Sequence, residues 1–187
     1  MNKKLLKWFI ILLPVIAVIL FLIIVAFIPN KDAVDKKIVT KTVKTKDSRV
    51  SFEVDEKYKE EVKGEYDIYL NKDNKQIVGG FTYNLNEYEE KSSKEVLDKQ
   101  INNFISSRKD MKLFKKEIKT EMEDKTITRV EYSGKTDKSS ECIYIFSTID
   151  FKNDPNYVVY MNEVIIKQRY EDHISEMINI LKSAKLN

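Results

Sequence analysis

The chain has 187 residues, with 33 lysines or arginines, 30 aspartates or glutamates and a formal net charge of +3. Three basic residues, Lys3, Lys4 and Lys7, precede a long apolar run, so the rest of the chain carries 30 residues of each sign and no net charge. This balance excludes the concentrated basic face that nucleic-acid binding requires. The single cysteine, Cys142, excludes an internal disulfide.

The apolar run Trp8–Ile28 contains 21 residues without a charge. As a helix it would be about 31 Å long, close to the thickness of a bilayer core. The run predicts a transmembrane anchor, and the lysines before it predict a cytoplasmic N-terminus at residues 1–7. Residues 30–187 would then lie outside the cytoplasm. A cleaved signal peptide is the alternative, although its apolar core usually spans only about 7 to 15 residues.

Residues 29–47 are polar with scattered valines and isoleucines, which predicts a stalk, although a Thr/Val alternation there leaves a first strand open. The domain proper is predicted from 48 to 187. Alternating apolar residues predict a strand at 50–54, a second at 66–70 and a third at 77–85. The Gly79-Gly80 pair inside the third strand suggests a bulge or a close crossing.

Ser92 and Glu95 match the capping-box signature, which predicts the start of a helix that ends near Lys109. Four strands are predicted next, at 114–122, 126–132, 141–150 and 157–167. A closing helix is predicted from Glu171 to Ala184. Its expected core stripe comprises Ile174, Met177, Ile178 and Leu181. This order predicts an α+β domain whose antiparallel sheet has about six or seven strands, with helices packed on it.

The order of these elements resembles the PsbP-like family of α/β/α sandwiches. The features that carry the resemblance are the opening strand Val50–Val54, a hairpin, the helix headed by Ser92, a four-strand meander and an I-x-x-S-x-K ending at 180–185. The resemblance covers residues 48–186. It implies a small secreted or anchored bacterial protein with a binding or accessory role and no established catalysis. The metal and docking residues of the plant-type members have no recognisable counterparts here.

No catalytic, cofactor or metal site is predicted. His173 is the only histidine, at the start of the last helix, and no His/Cys cluster accompanies it. Cys142 falls in an apolar strand pattern and is expected to be a buried small side chain. The acidic stretches at Asp73-Asn74 and Asp150–Asp154 are better explained as turns than as calcium ligands.

The aromatic residues are the remaining resource for recognition. Most strand tyrosines are expected in the core, whereas Tyr69, on the opposite parity, is expected to be exposed. Exposed tyrosines between charges favour contact with proteins or glycans. The leading hypothesis is a non-enzymatic, single-pass membrane protein that binds a protein or another envelope component of a bacterium. A subunit of a larger membrane complex and an envelope hydrolase using carboxylates are the alternatives. A deep pocket with convergent titratable groups would favour the enzyme.

Overall fold

The computed structural model describes residues 39–73, 76–108, 110–136 and 140–187, which belong to a compact unit spanning Val39–Asn187. The predicted anchor Trp8–Ile28, the N-terminal residues 1–7 and most of the predicted stalk lie outside the described residues. Neither helix within the described ranges is long and apolar enough to cross a membrane.

Ten strands and two helices make up the described part of the chain. The strands are β1 (Thr40–Lys44), β2 (Val50–Asp55), β3 (Lys59–Glu60), β4 (Ile68–Lys72), β5 (Gln76–Asn84), β6 (Lys112–Glu121), β7 (Lys125–Lys135), β8 (Glu141–Phe151), β9 (Tyr157–Ile166) and β10 (Lys185–Leu186). The helices are α1 (Ser93–Ser106), between β5 and β6, and α2 (Tyr170–Ser183), which follows the 3₁₀ turn Lys167–Arg169.

Seven strands form an antiparallel sheet in the order β3-β4-β5-β9-β8-β7-β6. The strands β8 and β9 are central, as their apolar sequences on both faces predict. The meander β6-β7-β8-β9 follows chain order. The chain leaves β5 through α1 and enters β6 at the opposite edge of the sheet, so β5 pairs with β9, the last strand of the meander. The predicted α+β class and the antiparallel sheet are therefore confirmed.

A second, three-stranded sheet has the order β1-β2-β10, and the sequence did not predict it as a separate layer. Residues 29–47, for which both a stalk and a first strand were considered, contain β1. This strand pairs with β2 along five residues. The two-residue strand β10 pairs with the other side of β2, at Ser51 and Val50. Strands this short give almost no periodic signal, so only their tertiary pairing defines them.

Each face of the large sheet has its own core. On one face, α2 and the small sheet cover Val159 and Met161 of β9, with Met177 and Leu181 as the helical contacts. On the other face, α1 covers β8 and part of β9. Its contacts there include buried Leu97 and Ile101. The alternation of side chains along each strand assigns them to the two faces.

Both helix predictions hold, with one correction. The hydroxyl oxygen of Ser92 accepts a hydrogen bond from Glu95 N, and the Glu95 carboxylate accepts one from Lys91 N rather than from Ser92 N. Both side chains therefore cap the N-terminus of α1. In α2, Met177 and Leu181 are buried and Ile174 and Ile178 are half-buried, whereas the buried Ile180 was left out of the predicted stripe. The helix faces both the large sheet and β2, and the second contact draws Ile180 inward.

Both edges of the large sheet are irregular. The strand β3 has only two residues. On the other edge, β6 accommodates one extra residue between Leu113 and Lys115 and another between Lys115 and Ile118, relative to β7. Its sequence, KLFKKEIKTE, carries four lysines and is mostly exposed.

Candidate functional site

Six aromatic side chains from β4, β5, β9 and the loops beside them gather on the face of the large sheet that carries α1. This set, termed the aromatic face, comprises Tyr66, Tyr69, Phe81, Tyr83, Tyr88 and Tyr160. The rings of Tyr66 and Phe81 stack with centroids 4.6 Å apart, and Phe81 stacks on Tyr160 at 6.3 Å. Tyr69 meets Tyr66 edge-on at 5.4 Å, and Tyr88 meets Tyr83 edge-on at 5.1 Å.

Gly79 makes the stacking possible. A Cβ atom at this position would lie 2.5 Å from Tyr66 Cε1 and 2.8 Å from Asn162 Oδ1, so any side chain would displace the Tyr66 ring. The registers of β5 with β4 and β9 run through Gly79-Gly80 without a shift. The alternative of a bulge was therefore wrong, and the close approach at Gly79 is made by the side chains of Tyr66 and Asn162.

Much of the aromatic face is open, because α1 packs mainly on β8. Tyr66, Phe81 and Tyr83 are half-buried, and Tyr88 is 45% exposed. The half-buried residues Ile77, Asn162 and Val164 extend the same surface along β5 and β9. Tyr69 is only 7% exposed, so its predicted exposure was wrong. Its hydroxyl accepts a hydrogen bond from Lys63 Nζ at 3.0 Å, and the Lys63 ammonium covers its ring at 4.6 Å.

A second group of polar residues lies on the opposite face of the sheet, beneath α2. This set, termed the buried polar cluster, comprises Tyr58, Gln76, Arg129, Glu131, Ser147 and Glu163. Glu131 and Glu163 have 0% and 1% of their surface exposed. Both pair with Ile145 of β8 in register, so their Cα atoms lie two strand spacings apart, roughly 9 to 10 Å.

The two glutamates have different partners. Arg129 Nε lies 2.9 Å from Glu131 Oε1, although not in hydrogen-bond alignment, and the Tyr170 hydroxyl donates to Glu131 Oε2 at 2.6 Å. Gln76 Nε2 donates to Glu163 Oε1 at 2.8 Å. Glu163 Oε2 has no hydrogen-bond partner in the described part of the chain. Burial, with the nearby Glu176 and Glu131 carboxylates, raises the pKa of Glu163 to about 8.

A more accessible ion-pair network borders the cluster. Lys72 Nζ contacts Asp55 Oδ2 at 2.8 Å and Glu176 Oε1 at 2.7 Å, and so ties β4 to β2 and to α2. Desolvation alone would raise the pKa of Asp55, but the hydrogen bond from Lys72 keeps it below its usual value. The only histidine, His173, has its Nδ1 3.5 Å from Glu176 Oε2, at the outer side of this network.

Titratable groups lie both beneath α2 and at a cleft on the surface. The carboxylates that converge are covered by α2. The described residues contain no group of three or more His, Cys, Asp or Glu side chains placed to hold a metal ion. A polar cleft of about 390 Å³ lies at the β7–β8 end of the sheet, between Lys112, Lys135 and Lys167. Cys142 borders this cleft but is 2% exposed, and burial raises the pKa of its thiol.

The acidic turns take the structural roles that turn chemistry predicts. Asp73 has φ 57°, a left-handed turn conformation that aspartate tolerates. The Asp154 carboxylate binds the Arg49 guanidinium at 2.6 Å. Neither the buried polar cluster nor the aromatic face was predicted as a site. The signal for the former, two glutamates within apolar strands, is ambiguous because glutamates at alternate positions normally face solvent.

These layers define a PsbP-like α+β sandwich, and the resemblance read from the sequence is confirmed at the level of the fold. The solution structure of cyanobacterial PsbP (CyanoP) from Synechocystis superposes with a TM-score of 0.56 at 10% identity, over 80% of this chain and 94% of that chain.

Two further structures share the fold. One is LpqN of Mycobacterium tuberculosis, described as involved in cell envelope biogenesis. Its TM-score is 0.55 at 8% identity, over 82% of this chain and 93% of that chain. The Saccharomyces cerevisiae Ran-binding protein Mog1p has a TM-score of 0.51 at 11% identity, over 80% and 96%. No family model matches the chain, and no curated protein matches it in sequence.

Proposed function

We propose that this chain is a non-enzymatic accessory protein of the bacterial cell envelope, anchored by Trp8–Ile28 and binding a protein partner through the aromatic face. The single observation that carries the proposal is the half-buried stack of Tyr66 on Phe81, which lies on the same surface as the exposed ring of Tyr88. Tyrosine and phenylalanine are enriched in the cores of protein interfaces, where their large surfaces dominate the binding free energy. An anchor would hold this face close to partners in the same membrane and raise their effective concentration.

A protein is a better fit than a glycan. A sugar ring stacks on the free face of an aromatic side chain, but Tyr66 and Phe81 cover one another's facing sides at 4.6 Å. The surface that remains open combines ring atoms with the aliphatic side chains of Ile77 and Val164. Such a surface suits apolar side chains of another protein.

The fold comparisons support this proposal by analogy. LpqN is described as acting in cell envelope biogenesis, and Mog1p is a Ran-binding protein, so the fold serves an envelope role in one case and protein binding in another. The envelope location of this chain also rests on the apolar run and on the lysines before it. Protease added to cells with a permeabilised wall should cut residues 30–187, whereas protection of that segment would refute the orientation.

Crosslinking in the native membrane, followed by pulldown, tests the binding proposal. The variant combines Tyr66→Ser with Tyr88→Ser, and Leu113→Ser is the matched control. Leu113 is 50% exposed, similar to Tyr88, but lies on β6 at the far edge of the sheet. We expect the control and the native chain to retain a reproducible partner that the double variant loses. Equal recovery by all three proteins would refute binding through the aromatic face.

The crosslinking experiment and a separate turnover assay address the two alternatives. A stoichiometric set of partners that includes other membrane proteins would identify a subunit of a larger complex. Turnover of an envelope substrate by the purified chain, abolished by Glu131→Gln, would favour the carboxylate hydrolase and overturn the non-enzymatic role. That outcome would require α2 to move, because both buried glutamates lie beneath it.

A further inference from the structure

We propose that Glu163 and Gln76 form a buried proton-binding site that latches the first half of α2 onto the large sheet. The site lies on the opposite face of the sheet from the aromatic face, and the inference does not depend on the proposed binding function.

The hydrogen bonds between Gln76 and Glu163 leave one donor missing. Gln76 Nε2 donates to Glu163 Oε1 at 2.8 Å. The amide oxygen of Gln76, Oε1, and the second carboxyl oxygen of Glu163, Oε2, are buried and have no donor within the described residues. Both orphaned atoms belong to groups that are already bonded to each other. A carboxylic acid at Glu163 would supply the missing donor, so that acid and amide could bond reciprocally. An ionised Glu163 would leave two acceptors buried and unsatisfied.

The surrounding charges lead to the same conclusion. The groups that face Glu163 are Lys72 from β4, Glu131 from β7, Glu176 from α2 and the Tyr58 hydroxyl from the segment between β2 and β3. From β8, Glu163 meets only the apolar Ile145 in register.

The two nearby cations already have partners. Lys72 contacts Asp55 and Glu176, and Arg129 contacts Glu131. A charge on Glu163 would place a fourth carboxylate among two cations in the described structure. Such an uncompensated buried charge is strongly unfavourable.

Loss of the proton would therefore act on α2. The carboxylate of Glu163 would compete for Lys72 and repel Glu176, which is the α2 residue that Lys72 holds at 2.7 Å. The neighbouring contact from Tyr170 to Glu131 lies in the same half of the helix. The raised pKa of Glu163, about 8, is consistent with a proton held at neutral pH. Above that pH, water would enter beneath residues 170–176 while Met177 and Leu181 keep the second half packed.

The protonation state can be measured directly in the unmodified protein. In the purified full-length chain with ¹³C-labelled glutamate, the Glu163 Cδ resonance is assigned by its loss in Glu163→Gln. We expect this resonance to report a carboxylic acid at neutral pH and to titrate with a midpoint near 8. A carboxylate signal at neutral pH would overturn the proposal, whatever the variant does.

Hydrogen exchange tests the latch itself. After correction for intrinsic rates, linkage predicts that opening of residues 170–176 rises on the order of 100-fold between about pH 6 and about pH 9 if opening hydrates Glu163. Glu163→Gln keeps the shape and the amide pairing but cannot ionise, so its opening should not change with pH. Glu90→Gln is the control, because Glu90 is 7% exposed but pairs with Lys99 outside the cluster. A pH-dependent rise that persists in Glu163→Gln, or that disappears in Glu90→Gln, would overturn the latch.

Discussion

Replacement of Glu163 by glutamine should stabilise the protein, and the gain should grow with pH. The carboxyl has an ordinary pKa of 4.5 and a pKa of about 8 in the folded chain. Between these values the folded state binds a proton that the unfolded state has lost. Each pH unit in this window therefore lowers the free energy of unfolding by about 1.4 kcal/mol. Stability that is fully present below pH 4.5 is thus lost progressively as pH rises towards 8.

The expected magnitude follows from that slope. Between pH 5 and pH 7 the native chain should lose about 2 to 3 kcal/mol through this one group, a large part of the 5 to 15 kcal/mol typical of a domain. Glu163→Gln removes this loss, so the difference in unfolding free energy between variant and native chain should grow by about 2 to 3 kcal/mol from pH 5 to pH 7. Above pH 8 the difference should level off.

Urea unfolding of the two full-length proteins at several pH values measures this difference. Asp47, Asp55 and Asp124 have lowered pKa values, so the stability that they contribute is lost only as pH falls below about 4. Burial also raises the pKa of Asp150, but that residue is common to both proteins and cancels in the comparison. Parallel pH profiles for the two proteins would refute the reasoning.

Three further substitutions probe the aromatic face, the buried polar cluster and the ion-pair network that borders the cluster. Gly79→Ala should displace the Tyr66 ring and lower the free energy of unfolding, measured by urea denaturation, by about 1 to 3 kcal/mol. A variant as stable as the native chain would show that the contact between the ring and Gly79 is loose. Tyr58→Phe removes a buried hydroxyl that has no well-aligned hydrogen bond in the described structure but lies close to the Glu176 carboxylate. The free energy of unfolding should therefore change by less than about 1 kcal/mol, and a larger loss would show that the hydroxyl donates to Glu176. Lys72→Met removes the cation that pairs with Asp55 and Glu176, and should lower the free energy of unfolding by about 1 to 3 kcal/mol at pH 7. Amide exchange in α2 should increase, and unchanged exchange would show that Lys72 does not hold the helix.

The sequence predicted the large sheet well because its signals are local. The capping box at Ser92 placed the start of α1, and alternation along 141–150 and 157–167 placed the two central strands within one or two residues. Periodicity of 2 or 3.6 reports one face of a single element, and these elements each bury at least one full face.

The sites depend on relations between elements that a local pattern does not contain. Glu163 and Gln76 are 87 residues apart and meet only because β9 pairs with β5. The parity of Tyr69 was read correctly as opposite to that of Ile68 and Leu70, but its burial comes from Tyr66 and Lys63, which fold over it from the preceding loop. Likewise, Ile180 turns inward because α2 contacts the small sheet, a layer that was not foreseen.

The irregular edges of the large sheet limit one mode of recognition, the addition of a partner strand to that sheet. A row of main-chain donors and acceptors would let a partner add a strand, but β3 is too short and β6 interrupts its row twice. A partner of this sheet would then have to be bound by side chains, whose identity varies more freely during evolution than the hydrogen-bonding groups of the backbone. Relatives with the same topology can therefore diverge in partner through a handful of surface substitutions while the sheet itself stays unchanged.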